Sequence, residues 1–139
     1  MANYSEWDSA LRAKLKILLL IITTSFVSNA LVQESASSPW DGEWVAEGTL
    51  FRIGVSVTDN EMEVVQIESL GQIWTSEVGH VAGNIATVEI AYAGATGIIQ
   101  AELIDDNTAI LFAATCVPEF MVVCALSKDR QAIFKKVSD

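Results

Sequence analysis

Histidine, cysteine, proline and positive charge are all scarce in this chain. Its 139 residues include one histidine, two cysteines, two prolines and eight basic side chains. Each shortage removes a class of function. His80 alone cannot hold a zinc ion without cysteine or further ligands at suitable spacing. It stands in Gly79-His80-Val81-Ala82-Gly83-Asn84, a stretch that reads as a turn. No nucleophile-elbow pattern accompanies it, so nothing marks a Ser–His–Asp arrangement. Carboxylates are plentiful, but solvent explains their positions. Glu89 and Glu102 fall on the polar faces of strand-like runs, and Asp59, Asp105 and Asp106 fall in turns. Asp105-Asp106-Asn107 lacks the glycine and distal glutamate of a calcium loop. No glycine-rich loop joins a strand to a helix, so a phosphate cradle is missing too. The sequence therefore assigns no catalytic residue, no metal ligand and no cofactor. The chain is expected not to be an enzyme, with a hydrolase acting through His80 as a distant third reading.

The shortage of basic residues leaves a net charge of −10. Arg12, Lys14 and Lys16 precede residue 31, as do Glu6 and Asp8, so residues 31–139 carry −11. Such a surface repels phosphate backbones and anionic lipid heads, which excludes nucleic acid as a partner. It suits solubility or a basic protein partner.

Long hydrophobic runs are also lacking. The N-terminal apolar stretch is Ile17 to Val27 (ILLLIITTSFV), at eleven residues. A membrane-spanning helix needs about 20. The run lies between a polar segment with basic residues near its end and Ser28-Asn29-Ala30, which places small residues at a cleavage site. That is the layout of a secretory signal peptide. The expectation is a hydrophobic signal helix over residues 1–30, a flexible Ser-rich lead-in with Pro39 over 31–40, and a single β domain over 41–139. The location that follows is periplasmic or secreted. Uncleaved, residues 17–27 tether the domain to a membrane.

What is present in the body is strand material. Phe51, Ile53, Val55 and Val57 alternate with Arg52, Gly54 and Ser56. Val65 and Ile67 share a face in the next run, and Ile73 to Val78 contains Trp74. Ala86, Val88, Ile90 and Tyr92 lie opposite Thr87 and Glu89; Ile99, Ala101 and Leu103 lie opposite Gln100 and Glu102. A period of two places one face in a core and the other in water. Thr108 to Cys116 is apolar on both faces, as in a strand covered on both sides. Two further runs, Phe120 to Leu126 and Gln131 to Val137, complete about eight strands. Short connections favour antiparallel neighbours. The expected fold is all-β: a meander closed as a small up-and-down barrel, or alternatively a two-sheet β-sandwich.

Cys116 and Cys124 flank Pro118-Glu119, on two runs expected to form a hairpin. In an oxidising compartment such a pair reads as a structural disulfide. It lacks the C-x-x-C spacing of a redox site.

Gly42-Glu43-Trp44 opens the strand region after Trp40-Asp41. Glycine, any residue, then tryptophan at that place resembles the calycin superfamily of lipocalins and avidin-like proteins. The resemblance covers about ten residues. It implies a barrel whose floor is closed by Trp44, with a basic residue near the last strand, Arg130, over its ring. It transfers no ligand.

Two functions remain open. One is a binding module holding a small apolar or amphipathic ligand, with Trp74, Tyr92 and Phe112 as candidate lining residues. The other is a protein-interaction or envelope-associated module with a filled core and a functional acidic surface.

Overall fold

The computed structural model describes residues 36–138, so the expected signal segment and residues 31–35 of the lead-in lie outside the described residues. The alternating runs form nine strands: β1 (Gly42–Ala46), β2 (Arg52–Thr58), β3 (Glu61–Glu68), β4 (Trp74–Ser76), β5 (Gly79–Ala82), β6 (Ile85–Tyr92), β7 (Ala95–Asp105), β8 (Thr108–Ala113) and β9 (Gln131–Lys136). One short helix, α1 (Val122–Ser127), precedes β9. Pairing runs from β1 through β2, β3, β5, β6, β7, β8 and β9 back to β1, all antiparallel. This is a closed eight-strand barrel with β4 as an extra strand beside β6. The ladder from Ile85↔Glu102 to Tyr92↔Ala95 closes the ring, which sets the sandwich aside. Closure leaves no long exposed edge to pair with another chain.

The period-two faces of β2, β6 and β7 point as their pattern dictates, whereas β3 turns Met62 and Val64 inward instead of the expected pair Val65 and Ile67. Ile53, Val55 and Val57 of β2, Ala86, Val88 and Ile90 of β6, and Ala101 and Leu103 of β7 join one core cluster with Trp40, Trp44, Met62 and Phe134. Burying each large apolar side chain contributes about 1.5–3 kcal/mol. Val65 and Ile67 share the opposite face of β3 and are exposed.

Three segments differ from the sequence expectation. Gly79–Ala82, expected as a turn, is β5. Gly79 is there for close approach: an added Cβ would lie 2.5 Å from Val88 Cγ2 and 2.7 Å from the Thr87 carbonyl oxygen. β4 and β5 run on from each other along β6, pairing Trp74↔Tyr92 and His80↔Thr87. β4 meets β3 through side chains: Gln66 Nε2 donates to the Trp74 carbonyl at 2.6 Å and Ser76 Oγ to the Val64 carbonyl at 3.2 Å.

The second difference is Phe120–Leu126, expected as a strand. It is a turn followed by α1. β8 already bonds β9 directly, from Thr108↔Lys135 to Phe112↔Gln131, so no edge is free for a strand between them. Local bonds take over: Met121 N–H donates to the Pro118 carbonyl and Cys124 N–H to the Met121 carbonyl, both at 3.0 Å. Third, the strand expected over Thr108–Cys116 ends at Ala113 and is not covered on both sides. Its outward Ile110 packs beside Ile133, which is itself exposed.

The β7–β8 turn carries a pH dependence. Asn107 N–H donates to Asp105 Oδ1 at 2.8 Å. That bond, helped by the Thr108 hydroxyl and by Lys135, lowers the Asp105 carboxyl below its ordinary 3.8 against the opposing effect of desolvation. A carboxyl lowered in the folded state stabilises the fold above its unfolded pKa, and the benefit is lost as pH falls through the folded value. Asp105→Asn lacks this titration. Its melting temperature is expected to fall less than the parent's between about pH 5 and about pH 3. Parallel slopes in thermal melts would contradict this.

Candidate functional site

The inward faces do not fill the barrel. They enclose a cavity of about 510 Å³. Small-molecule sites span about 300–1,000 Å³.

One end of the cavity is closed. Trp40 and Trp44 lie there, 3% and 2% exposed, with ring centroids 6.4 Å apart. Trp44 Nε1 donates to the Trp40 carbonyl at 2.9 Å. Lys136 Nζ sits 5.0 Å from the Trp44 ring centroid and donates to the Pro39 carbonyl at 2.6 Å. The cation over Trp44 is thus Lys136 and not Arg130. β9 places Lys136 opposite Trp44 in register, whereas Arg130 precedes β9 at the other end. The lead-in is tied down as well. Asp41 accepts from Val57 N–H at 2.7 Å and from Ser38 N–H at 2.8 Å. From Ser38 onward it is therefore a turn fixed to the barrel, not the flexible segment expected through residue 40.

The wall carries a chain of aromatic rings. Trp74 and Tyr92 are direct cross-strand partners. Phe51 lies 6.3 Å from Trp74 and, edge to face, 6.2 Å from Phe134. The Tyr92 hydroxyl donates to Gln72 Oε1 beside them. Trp74, Tyr92 and Phe112 all border the cavity. Phe112 alternates with Leu111 and Ala113, so it meets the cavity only where this passes over the barrel end, near Leu126 and Arg130. Trp40 escaped the sequence reading because its Ser- and Pro-containing surroundings show no period.

The other end is open and apolar. Leu50, Leu70, Ile73, Val117, Phe120 and Leu126 stand exposed on three of the connections there: β1–β2, β3–β4 and β8–β9. The far end carries polar turns instead: Asp59-Asn60, Gly83-Asn84 and Asp105-Asp106-Asn107. α1 lies over part of the opening, with Leu126 and Ser127 bordering the cavity.

A disulfide between Cys116 and Cys124, Cα atoms 5.4 Å apart, ties α1 to the chain leaving β8. It joins a loop to a helix, so the expected hairpin is absent. Closing a loop of this length constrains the unfolded chain by about 2–3 kcal/mol on the entropy model. The Cys116→Ser/Cys124→Ser double variant is expected to unfold that much more readily in urea. A shift under ~0.5 kcal/mol would show that the bridge holds nothing the barrel does not.

Charge is nearly absent inside. Among the described residues, no Asp, Glu, His or Lys borders the cavity, and Arg130 is the one charged side chain that does. The one ion pair among the described residues, Arg52–Glu43 at 2.8 Å, lies on the outer surface. His80 sits exposed on β5, opposite Glu61 and Thr87. Two polar groups in the wall are unusual. The indole N–H groups of Trp40 and Trp74 are buried and have no acceptor. A buried donor left unpaired costs about 1–3 kcal/mol.

Comparison with protein-family models, with curated proteins and with solved structures finds no match.

Proposed function

We propose that this barrel is an exported, noncatalytic module that holds a small apolar or amphipathic ligand in its interior. The observation that carries the reading is the cavity of about 510 Å³ with its aliphatic and aromatic lining. A β domain built only to present a surface gains nothing from unfilled interior volume, because each void forfeits packing contacts. The apolar open end gives such a ligand a route in that avoids the acidic outside. Among the described residues the cavity wall is aliphatic and aromatic, without carboxylate or histidine, and this supports binding without chemistry. The disulfide supports an oxidising compartment, periplasmic or extracellular.

A second reading rests on a different observation. Asp59, Glu61, Asp105 and Asp106 lie on two turns and a strand start at the closed end, and a basic protein partner would meet them there. Its association would weaken steeply with salt.

Native mass spectrometry of the full chain, without reductant, tests the first reading. The expected result is a reproducible added mass that leaves on mild activation. A bare mass, together with no uptake of any apolar probe, would sink it and move the search to basic partners.

A further inference from the structure

We infer that the ligand is a single-chain amphiphile with an anionic head, carboxylate or phosphate, whose tail runs toward Trp44 and whose head meets Arg130 at the mouth of the cavity. The inference rests on the ligand-holding reading and narrows it to a chemical class and an orientation.

The cavity wall is graded along its length. Tryptophans aside, the polar side chains that border it are Gln72, Tyr92, Ser127, Arg130 and Gln131. All of them stand at the open end. Gln72 is on the β3–β4 connection, Tyr92 closes β6, Ser127 closes α1, and Arg130 and Gln131 are where β9 begins. Toward the closed end the wall is Trp40, Trp44, Met62, Ala86 and Ala109. An apolar tail gains by leaving water along that inner stretch, whereas a charged head taken there loses its hydration. The head therefore stays at the mouth.

Arg130 sets the sign of that head. Other basic side chains are engaged on the outside of the barrel: Arg52 pairs with Glu43, Lys135 Nζ donates to Thr108 Oγ1 at 2.9 Å, and Lys136 lies over Trp44. Arg130 is exposed, has no ion pair among the described residues, and borders the cavity. Its backbone is held on both sides. Its N–H donates to the Ser127 carbonyl at 3.2 Å, and Gln131 beside it pairs with Phe112 in the β8–β9 ladder. A guanidinium stays charged and presents its N–H groups as a fork that fits two oxygens of a carboxylate or phosphate. A cationic head meets a like charge there. Asp129, the acid next in sequence, does not border the cavity. The net charge of −10 repels an anion at long range, but salt screens that repulsion beyond about 8 Å and leaves the local contact with Arg130. Size fixes the number of tails. At about 30 Å³ for a water-sized group, 510 Å³ holds roughly 15–20 non-hydrogen atoms, enough for one chain and too few for a two-chain lipid.

The test puts four heads on one tail: dodecanoate, dodecyl phosphate, dodecanol and dodecylamine. Each is titrated calorimetrically into the full chain at about pH 8, where the carboxylate is ionised, and ~0.15 M salt. Arg130→Gln is expected to weaken the two anions about fivefold and to leave dodecanol unchanged. Lys128→Gln removes the same charge from a side chain that does not border the cavity, and is expected to change neither. Damage to the cavity weakens all four alike, and a general effect of net charge appears in both variants. The anion that loses more in Arg130→Gln identifies the head as carboxylate or phosphate. Isotope-filtered NMR reads the orientation: the terminal methyl of the bound anion is expected to contact the Trp44 ring, and the methylene next to the head the Tyr92 ring. The reverse orientation overturns the inference and leaves the ligand-holding reading intact. So does Arg130→Gln acting equally on dodecanol and the anions, or Lys128→Gln costing the anions as much. If none of the four chains binds, the ligand-holding reading itself fails.

Discussion

Replacing Ala101 with tryptophan should abolish ligand binding while leaving the barrel as stable as before, or more so. Ala101 lies on β7 between Ala86 of β6 and Leu111 of β8, and all three border the cavity. Small side chains on two adjacent strands, Ala86 and Ala101, leave room in the middle of the barrel. An indole there takes the space of a bound chain, and the expected loss is at least about 100-fold, near 2.7 kcal/mol. The stability readout separates the two readings of the interior. In a filled core, adding so large a side chain forces its neighbours off their rotamers and costs about 1–3 kcal/mol. In a barrel with unfilled volume the ring gains contacts. Isothermal titration with whatever ligand mass spectrometry finds, paired with urea unfolding, reads both at once. Lost stability with unchanged binding would place the ligand elsewhere.

Trp44→Ala should be the most destabilising single change in the molecule. Trp44 is the largest side chain buried to this degree. It packs against Trp40, lies under Lys136, and donates its N–H to the Trp40 carbonyl. Truncating it opens the closed end and frees the turn that Asp41 holds against β2. Removing a buried Trp costs about 3–5 kcal/mol. At about 4–8 °C per kcal/mol, the melting temperature should drop by roughly 12–40 °C. Trp44→Phe keeps the ring and loses the hydrogen bond, so about 1 kcal/mol is expected. If Trp44→Ala melted within a few degrees of the parent, the closed end would not be the keystone described here.

Some of this was written along the chain. The alternation in β2, β6 and β7 marks which residues face inward, because a strand sends successive side chains to opposite sides whatever its partners. Turn residues at Asp59-Asn60 and Asp105-Asp106-Asn107 mark where the chain reverses. The Cys116–Cys124 pair was legible from the number of cysteines, although the hairpin expected to join them is absent. Trp40 was not: its burial comes from the Asp41 bonds to Ser38 and Val57, and the latter joins residues far apart in sequence. Nor was α1, whose valines favour a strand. It is a helix because the direct β8–β9 ladder leaves its segment no partner.

The sequence by itself determined an all-β domain, the inward faces of β2, β6 and β7, its net negative charge and its one cysteine pair, since period, charge and cysteine count are properties of neighbours along the chain. Tertiary structure alone decided the rest. Whether the ring closes depends on β6 meeting β7 and β1 meeting β9. Whether the enclosed space is filled depends on side-chain volumes summed across eight strands at once. Which cation covers Trp44, and which indoles are left without acceptors, depends on the register between strands. Those quantities exist only when distant segments are brought together, and the function proposed here depends on them.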